Sequence, residues 1–321
     1  MSISRRALLV HAAVAPYLVL TFALTFAAQT AAAAESGSDE SPSSKILRFP
    51  NDHSIGTIKF HVHGKKLSPQ PARGTIRVPR QATVSLSINY ESTRDLSPLG
   101  SLAPNSLRTL TMSKLEIKDE QLKYIAHLTG LRMLNLQETD ITNDGLDFLK
   151  NLKALDNLVL RSTLITGAGL VKLKPLSNLE RLNISSNRLE DGGLDALVGL
   201  KKLRRLHCVR SGISDKSLKP ISSMTQIHEL EIGYNNAITD SGMDCLSSLT
   251  NLDRLNIART SITARSVKVL AKMHSLKRVI YDKSQFSDRD ISTLKRALPN
   301  CEFVDVVQSV HFDMEIFAPL H

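Results

Sequence analysis

The chain has no Trp, and aromatic residues make up only 4% of its 321 residues. Its hydrophobic content of 42% is therefore mostly aliphatic, Leu and Ile above all, which suits a regular layered core. That content is too high for a disordered chain. Cysteines are few: Cys208, Cys245 and Cys301, odd in number and widely spaced. Such a set argues against a disulfide framework and against a zinc site. It reads as three small apolar core residues, with a reactive thiol as the lesser alternative. Motifs of catalysis are missing as well. There is no Gly-rich phosphate loop, no Gly-x-Ser-x-Gly, no His-Glu-x-x-His and no Cys-x-x-Cys. The expectation is a protein that is not an enzyme and uses no cofactor.

Acidic residues are absent from the first 34 positions. Residues 1–6 (MSISRR) are positive, residues 7–28 are almost wholly apolar, and Ala32-x-Ala34 offers a small-residue cleavage site. This order of parts is that of a secretory signal peptide, so residues 1–34 are set apart from the fold, with cleavage after Ala34. The apolar run approaches the ~20 residues that span a bilayer, so an uncleaved membrane anchor is the alternative. Ser4-Arg5-Arg6-Ala7-Leu8-Leu9 resembles a twin-arginine export motif. Residues 35–45 are Ser-rich and acidic, a flexible linker.

The whole chain carries 41 basic and 31 acidic residues, a net charge of +10; without residues 1–34 the balance is 39 against 31, or +8. A basic balance favours anionic partners without choosing among them. The expectation is an acidic protein partner, with an anionic glycan as the alternative and no nucleic acid. Membrane contact is expected only if the N-terminal segment stays uncleaved.

What the chain has in abundance is one pattern. Leu131-x-x-Leu134-x-Leu136-x-x-Thr139-x-Ile141-Thr142 recurs at Leu155, Leu179, Leu203, Ile227, Leu252 and Leu276, with an earlier copy at Leu107. The eight starts lie 24 residues apart, except for 25 between Ile227 and Leu252, where the extra residue falls at Asn235-Asn236. The Leu-x-x-Leu-x-Leu part ends with period two, a short strand with one buried face. Thr142, Thr166, Ser214, Thr239, Thr263 and Ser287 then share one position and are predicted helix caps, with Glu190 departing from the pattern. Apolar residues three apart follow, as in Leu146-x-x-Leu149-x-x-Leu152, one face of a short helix. A strand-helix unit cannot bury its own apolar stripe, whereas stacked copies can.

The copies resemble leucine-rich repeats. Their Ile-Thr-Asp-x-Gly-Leu helix start is similar to the cysteine-containing repeats of F-box proteins and to the GALA-type bacterial repeats, although Cys208 is the only strand Cys. The resemblance implies an α/β fold: a right-handed solenoid with a curved parallel sheet on the concave side and helices on the convex side. It also implies protein binding through the concave face. Three further readings stay open: an anionic-glycan binder, a secreted effector, and an F-box-type substrate receptor. The domain reading is residues 46–105 as a β-rich capping unit, residues 106–301 as the eight repeats, and residues 302–321 as a C-terminal cap.

In each strand the third and fifth residues are expected to point away from the core. Third positions read Thr109, Met133, Asn157, Arg181, Arg205, Glu229, Arg254 and Arg278; fifth positions include His207 and Glu231; eighth positions add Arg210, Tyr234, Arg259 and Lys283. Charge thus collects in the C-terminal half. The candidate binding residues are Arg181, Arg205, His207, Arg210, Glu229, Glu231, Tyr234, Arg254, Arg259 and Arg278. Two other groups have residue types that bind metals. His61 and His63, with His53, read as solvent-facing histidines on an edge strand. Asp119, Asp144, Asp215, Asp240 and Asp288 read as helix-start residues held there by the helix dipole.

Overall fold

Each Leu-x-x-Leu-x-Leu run forms a short strand whose central apolar residue turns inward. Those residues, from Leu110 through Leu134, Leu158, Leu182, Leu206, Leu230 and Leu255 to Val279, are all 1% exposed or less. Full burial of such a side chain is worth about 1.5–3 kcal/mol. The computed structural model describes residues 45–306, all within a unit that begins at Lys45. The expected signal peptide, all but the last residue of the expected linker, and residues 307–321 of the expected C-terminal cap lie outside the described residues.

The chain opens with β1 (Ile46–Arg48), β2 (Gly56–Val62), β3 (Lys65–Lys66), β4 (Gln70–Pro71), β5 (Thr75–Arg77) and β6 (Thr83–Ile88). The repeats contribute β7 (Thr109–Thr111), β8 (Met133–Asn135), β9 (Asn157–Val159), β10 (Arg181–Asn183), β11 (Arg205–His207), β12 (Glu229–Glu231), β13 (Arg254–Asn256) and β14 (Arg278–Tyr281), and β15 (Glu302–Asp305) follows. Strands β6 to β15 pair in parallel and in sequence order. Strand β6 joins this ladder one repeat length before β7, with Leu86 beside Leu110. Antiparallel β2 covers its other edge, and β3 and β4 pair with β2. His61 therefore lies in a strand flanked on both sides, not at an edge, and hydrogen-bonds Ser85 Oγ at 3.0 Å. Among the described residues no group of His, Cys, Asp and Glu is arranged to hold a metal. None of the helices there is long and apolar enough to cross a membrane.

The connecting segments differ along the array. In the first four repeats they are 3₁₀ turns: Asp119–Tyr124, Asp144–Leu149, Gly167–Leu173 and Gly193–Gly199. In the last four they include α-helix: Asp215–Ile221, Asp240–Leu246, Val267–Leu270 and Asp288–Ala297. The apolar spacing of three is common to both halves, while glycines at 145, 167, 169 and 193 weaken the α form in the second to fourth repeats. The expected caps Ser214, Thr239, Thr263 and Ser287 do accept from backbone amides of the following turn. Thr166 does not; its hydroxyl accepts from Asn143 Nδ2 at 2.9 Å.

The recurring acidic residues do more than answer a dipole. Asp119 Oδ1 accepts from Thr142 N at 2.8 Å, Asp215 from Thr239 N at 2.8 Å, and Asp240 from Thr263 N at 2.9 Å. Asn143 does the same for Thr166 at 2.9 Å and Asp191 for Ser214 at 3.1 Å. Each side chain ties its repeat to the next. Burial works against the Asp191 charge, but hydrogen bonds from Ser214 and Ser217 prevail and hold its carboxyl below the usual range. The ladder breaks twice. Gly167 has no side chain to accept, and position 190 holds Glu in place of the Ser or Thr; Ala264 precedes Ser287, which pairs with Asp290 of its own helix instead.

After each strand the chain must turn outward. The eighth residue does this in the left-handed region: Lys114, Glu138, Ser162, Ser186, Arg210, Tyr234 and Arg259 have φ between 52° and 60°. None is Gly, so each carries strain of about 1–2 kcal/mol. Hydrogen bonds to the next repeat hold it, as from Arg210 N to Gly233 O at 3.0 Å and from Tyr234 N to Ala258 O at 2.8 Å. Below this turn, Asn235 is buried and donates to Cys208 O and Ile232 O, while the neighbouring Asn236 and Ala237 are exposed. The extra residue of that repeat is thus accommodated on the surface. Cys208 and Cys301 are buried as expected, and burial raises both thiols, Cys301 to about 11. Cys245 is only partly buried.

Candidate functional site

Parallel pairing sets the candidate residues side by side. Across β10 to β14 the in-register third positions are Arg181, Arg205, Glu229, Arg254 and Arg278. Strands lie ~4.8 Å apart, so this column spans roughly 19 Å. The fifth positions run beside it as Asn183, His207, Glu231, Asn256 and Ile280. The expectation that both rows face solvent holds only in part. Glu229, Glu231 and His207 are 4–6% exposed.

Each arginine of the column has a carboxylate nearby. Arg205 Nε and Arg254 Nε approach the same Glu229 Oε2 from opposite sides, at 3.7 and 3.8 Å. Both contacts are longer than a hydrogen bond. Arg181 lies 3.6 Å from Asp156 and Arg278 3.4 Å from Glu302. At the rim, Arg259 Nε meets Asp282 at 2.6 Å, and Lys283 Nζ lies 3.7 Å from Asp305. Arg210 stacks over the Tyr234 ring at 5.2 Å, leaving the ring 39% exposed.

The two glutamates of β12 differ. Burial opposes the charge of Glu229, but the 2.8 Å hydrogen bond with His207 Nε2 and the nearby guanidiniums of Arg254 and Arg205 prevail and lower its carboxyl. Burial dominates at Glu231 and raises its carboxyl, with His207 and an Asn256 amide at 2.6 Å as partial offsets. Sequence reasoning missed Asp156 and Glu302 as partners. They stand outside the third and fifth rows or beyond the last repeat, and only the strand register could have found them.

A sequence profile for the leucine-rich repeat region matches residues 83–318. The chain belongs to the leucine-rich repeat family. The match takes in β6, in agreement with its place in the parallel ladder. Among solved structures, this leucine-rich repeat protein is similar to internalin C2 from Listeria monocytogenes, with 25% identity and a TM-score of 0.50 over 62% of this chain and 80% of that one. Internalin F from the same organism matches at 19% identity and a TM-score of 0.38, over 62% and 74% of the two chains. The ectodomain of the Arabidopsis receptor kinase HAESA, solved with an IDA peptide hormone, matches at 21% identity and a TM-score of 0.42, over 57% and 31%. No curated protein matches the sequence.

Proposed function

We propose that this chain is an exported, noncatalytic recognition protein that binds an acidic protein partner on the sheet face of its C-terminal half. One observation carries the reading. Four arginines stand in register around a single buried glutamate, and two of them reach it only at distances beyond hydrogen bonding. Like charges on neighbouring strands are unfavourable, so folding alone does not favour Arg181 beside Arg205 or Arg254 beside Arg278. Arginine's planar fork suits carboxylates gripped in pairs. Tyr234 supplies an exposed aromatic anchor at the rim. Export rests on the charged start, apolar run and Ala cluster of residues 1–34.

The test is capture of the partner by the mature protein from the cells that make it. Arg205→Glu with Arg254→Glu should abolish capture, with retention of the fold checked by circular dichroism because both arginines flank the buried Glu229. Binding to the parent should weaken as salt rises, because exposed charges are screened within ~8–10 Å. A partner held equally by the double variant, across a salt series, would place the site elsewhere.

A further inference from the structure

Beneath the arginine column lie three buried ionisable side chains, His207 on β11 and Glu229 and Glu231 on β12. The glutamates are two residues apart on one strand, so both face the same side. Glu229 has His207 Nε2 at 2.8 Å and the guanidiniums of Arg205 and Arg254 at 3.7 and 3.8 Å. Glu231 has the neutral amide of Asn256 and, in register on β11, His207. The other charged groups of this face are Arg181 on β10, Arg278 on β14, and Arg210 and Arg259 in the turns, with Tyr234 among them. Two carboxylates and an imidazole are therefore packed where burial penalises each charge. A buried ionic cluster is weak evidence of stabilisation. Elsewhere in the fifth row the residues carry no ionisable group: Thr111, Asn135, Val159, Asn183, Asn256 and Ile280.

We propose that His207, Glu229 and Glu231 form a proton-operated switch that sets the charge of the arginine column, so that docking of an anionic partner takes up a proton and tightens on acidification. The proposal rests on the reading of this face as the binding surface. Glu229 keeps its negative charge and anchors Arg205 and Arg254. Glu231 is the group most ready to take a proton, since burial and the neighbouring Glu229 disfavour its charge, and Arg254 favours that charge only from beyond ion-pair reach among the described contacts. Adding a proton to the cluster removes negative charge from below the arginines or adds positive charge beside them. A negative group docked above favours that state. By reciprocity, protonation favours the docked group to the same extent.

The probe is a short rhodamine-labelled peptide bearing cysteic acid side chains, whose sulfonates keep their charge across the range used. Its binding is followed by anisotropy at constant ionic strength, near pH 5.5 and near pH 7.5, above the ordinary carboxylate range, the direction in which burial moves Glu231. The parent should bind about tenfold more tightly at the lower pH, the effect of one unit charge several Å away in a protein-like dielectric. Glu231→Gln should bind at the higher pH nearly as the parent binds at the lower. Adding His207→Gln should remove most of the remaining dependence. As a measurement that needs no variant, calorimetry of the parent in buffers of different ionisation enthalpy should show net proton uptake on binding. If Glu231→Gln/His207→Gln keeps the parent's pH ratio, or no proton is taken up, the switch is overturned. If Arg205→Glu/Arg254→Glu loses the probe while the ratio persists in Glu231→Gln/His207→Gln, the binding face stands and the switch alone falls. Unchanged probe binding by Arg205→Glu/Arg254→Glu, or no binding by the parent at either pH, overturns the binding face and the switch with it.

Discussion

The first three repeats and the last five share one frame and present different surfaces. Third positions are neutral in β7 to β9 (Thr109, Met133, Asn157) and all charged from β10 to β14. On the other side of the array the change comes one repeat later, where 3₁₀ turns give way to α-helix at Asp215. The two boundaries do not coincide. In this architecture each position of the repeat faces one side, so the sheet face and the helical side vary independently while the buried leucines stay constant.

The joints between repeats differ in a similar way. Most are tied by an Asp or Asn that accepts from the next repeat's Thr or Ser. The joint between the third and fourth repeats is closed by backbone contact instead. A Cβ built on Gly193 would lie 2.4 Å from Gly167 Cα, and one built on Gly167 would lie 2.1 Å from Leu189 O. An open cleft of about 530 Å³ borders this joint, lined by Gly167, Val171, Leu189 and Gly193 among others. Here steric fit replaces the hydrogen-bonded tie.

If the halves share one core, the largest effect comes from breaking that core where they meet. Leu182→Ala in the fourth repeat should cost ~2–5 kcal/mol in a denaturant titration, as buried Leu truncations do. Arg188→Ala, on the exposed turn of the same repeat, should stay within ~0.5 kcal/mol. Equal costs would mean that the repeat frame is wrong.

The next effect separates the two kinds of joint. Gly167→Ala should cost ~1–3 kcal/mol by overpacking against Leu189 and Gly193. Asp215→Ala should cost about 1 kcal/mol through the lost tie to Thr239. A neutral Gly167→Ala would show that the third joint yields and that its close contact is not a constraint.

The smallest effect concerns the charged half alone. Glu231 has a raised carboxyl in the folded protein, so the folded state holds this proton more firmly than the unfolded chain does. Its contribution to stability is full below the unfolded carboxylate range and is lost as pH rises through the folded value. Glu231→Gln should therefore be more stable than the parent at neutral pH, and the difference should shrink as pH falls through the raised folded value towards the ordinary carboxylate range. Chemical denaturation at a series of pH values measures this. A difference that does not change with pH would remove Glu231 as the titrating group.

Much of the fold was legible because a repeat states its geometry many times. The 24-residue spacing placed Leu110 to Val279 on one buried row, and it aligned Arg181, Arg205, Glu229, Arg254 and Arg278 before any strand pairing was known. Strand polarity needed only period two, and parallel order needed only that each unit bury its stripe on the next. What lay outside the period was harder to read. Thr83–Ile88 carries a weak copy of the strand pattern, with Thr83 and Ser87 in place of stronger formers, and so looked like part of a separate cap.

The sequence by itself determined which residues share a row, since periodicity is a local property repeated along the chain. Only the tertiary structure decided what the rows do to one another. Asp119 and Asp215 look like ordinary helix-start residues until the next repeat brings Thr142 and Thr239 within hydrogen-bond distance. Glu229 and Glu231 look alike in sequence, yet one is held charged by His207 and two arginines and the other is driven towards its neutral form by burial. Ionisation depends on desolvation and on distances of a few Å between strands, and those exist only once the strands are packed.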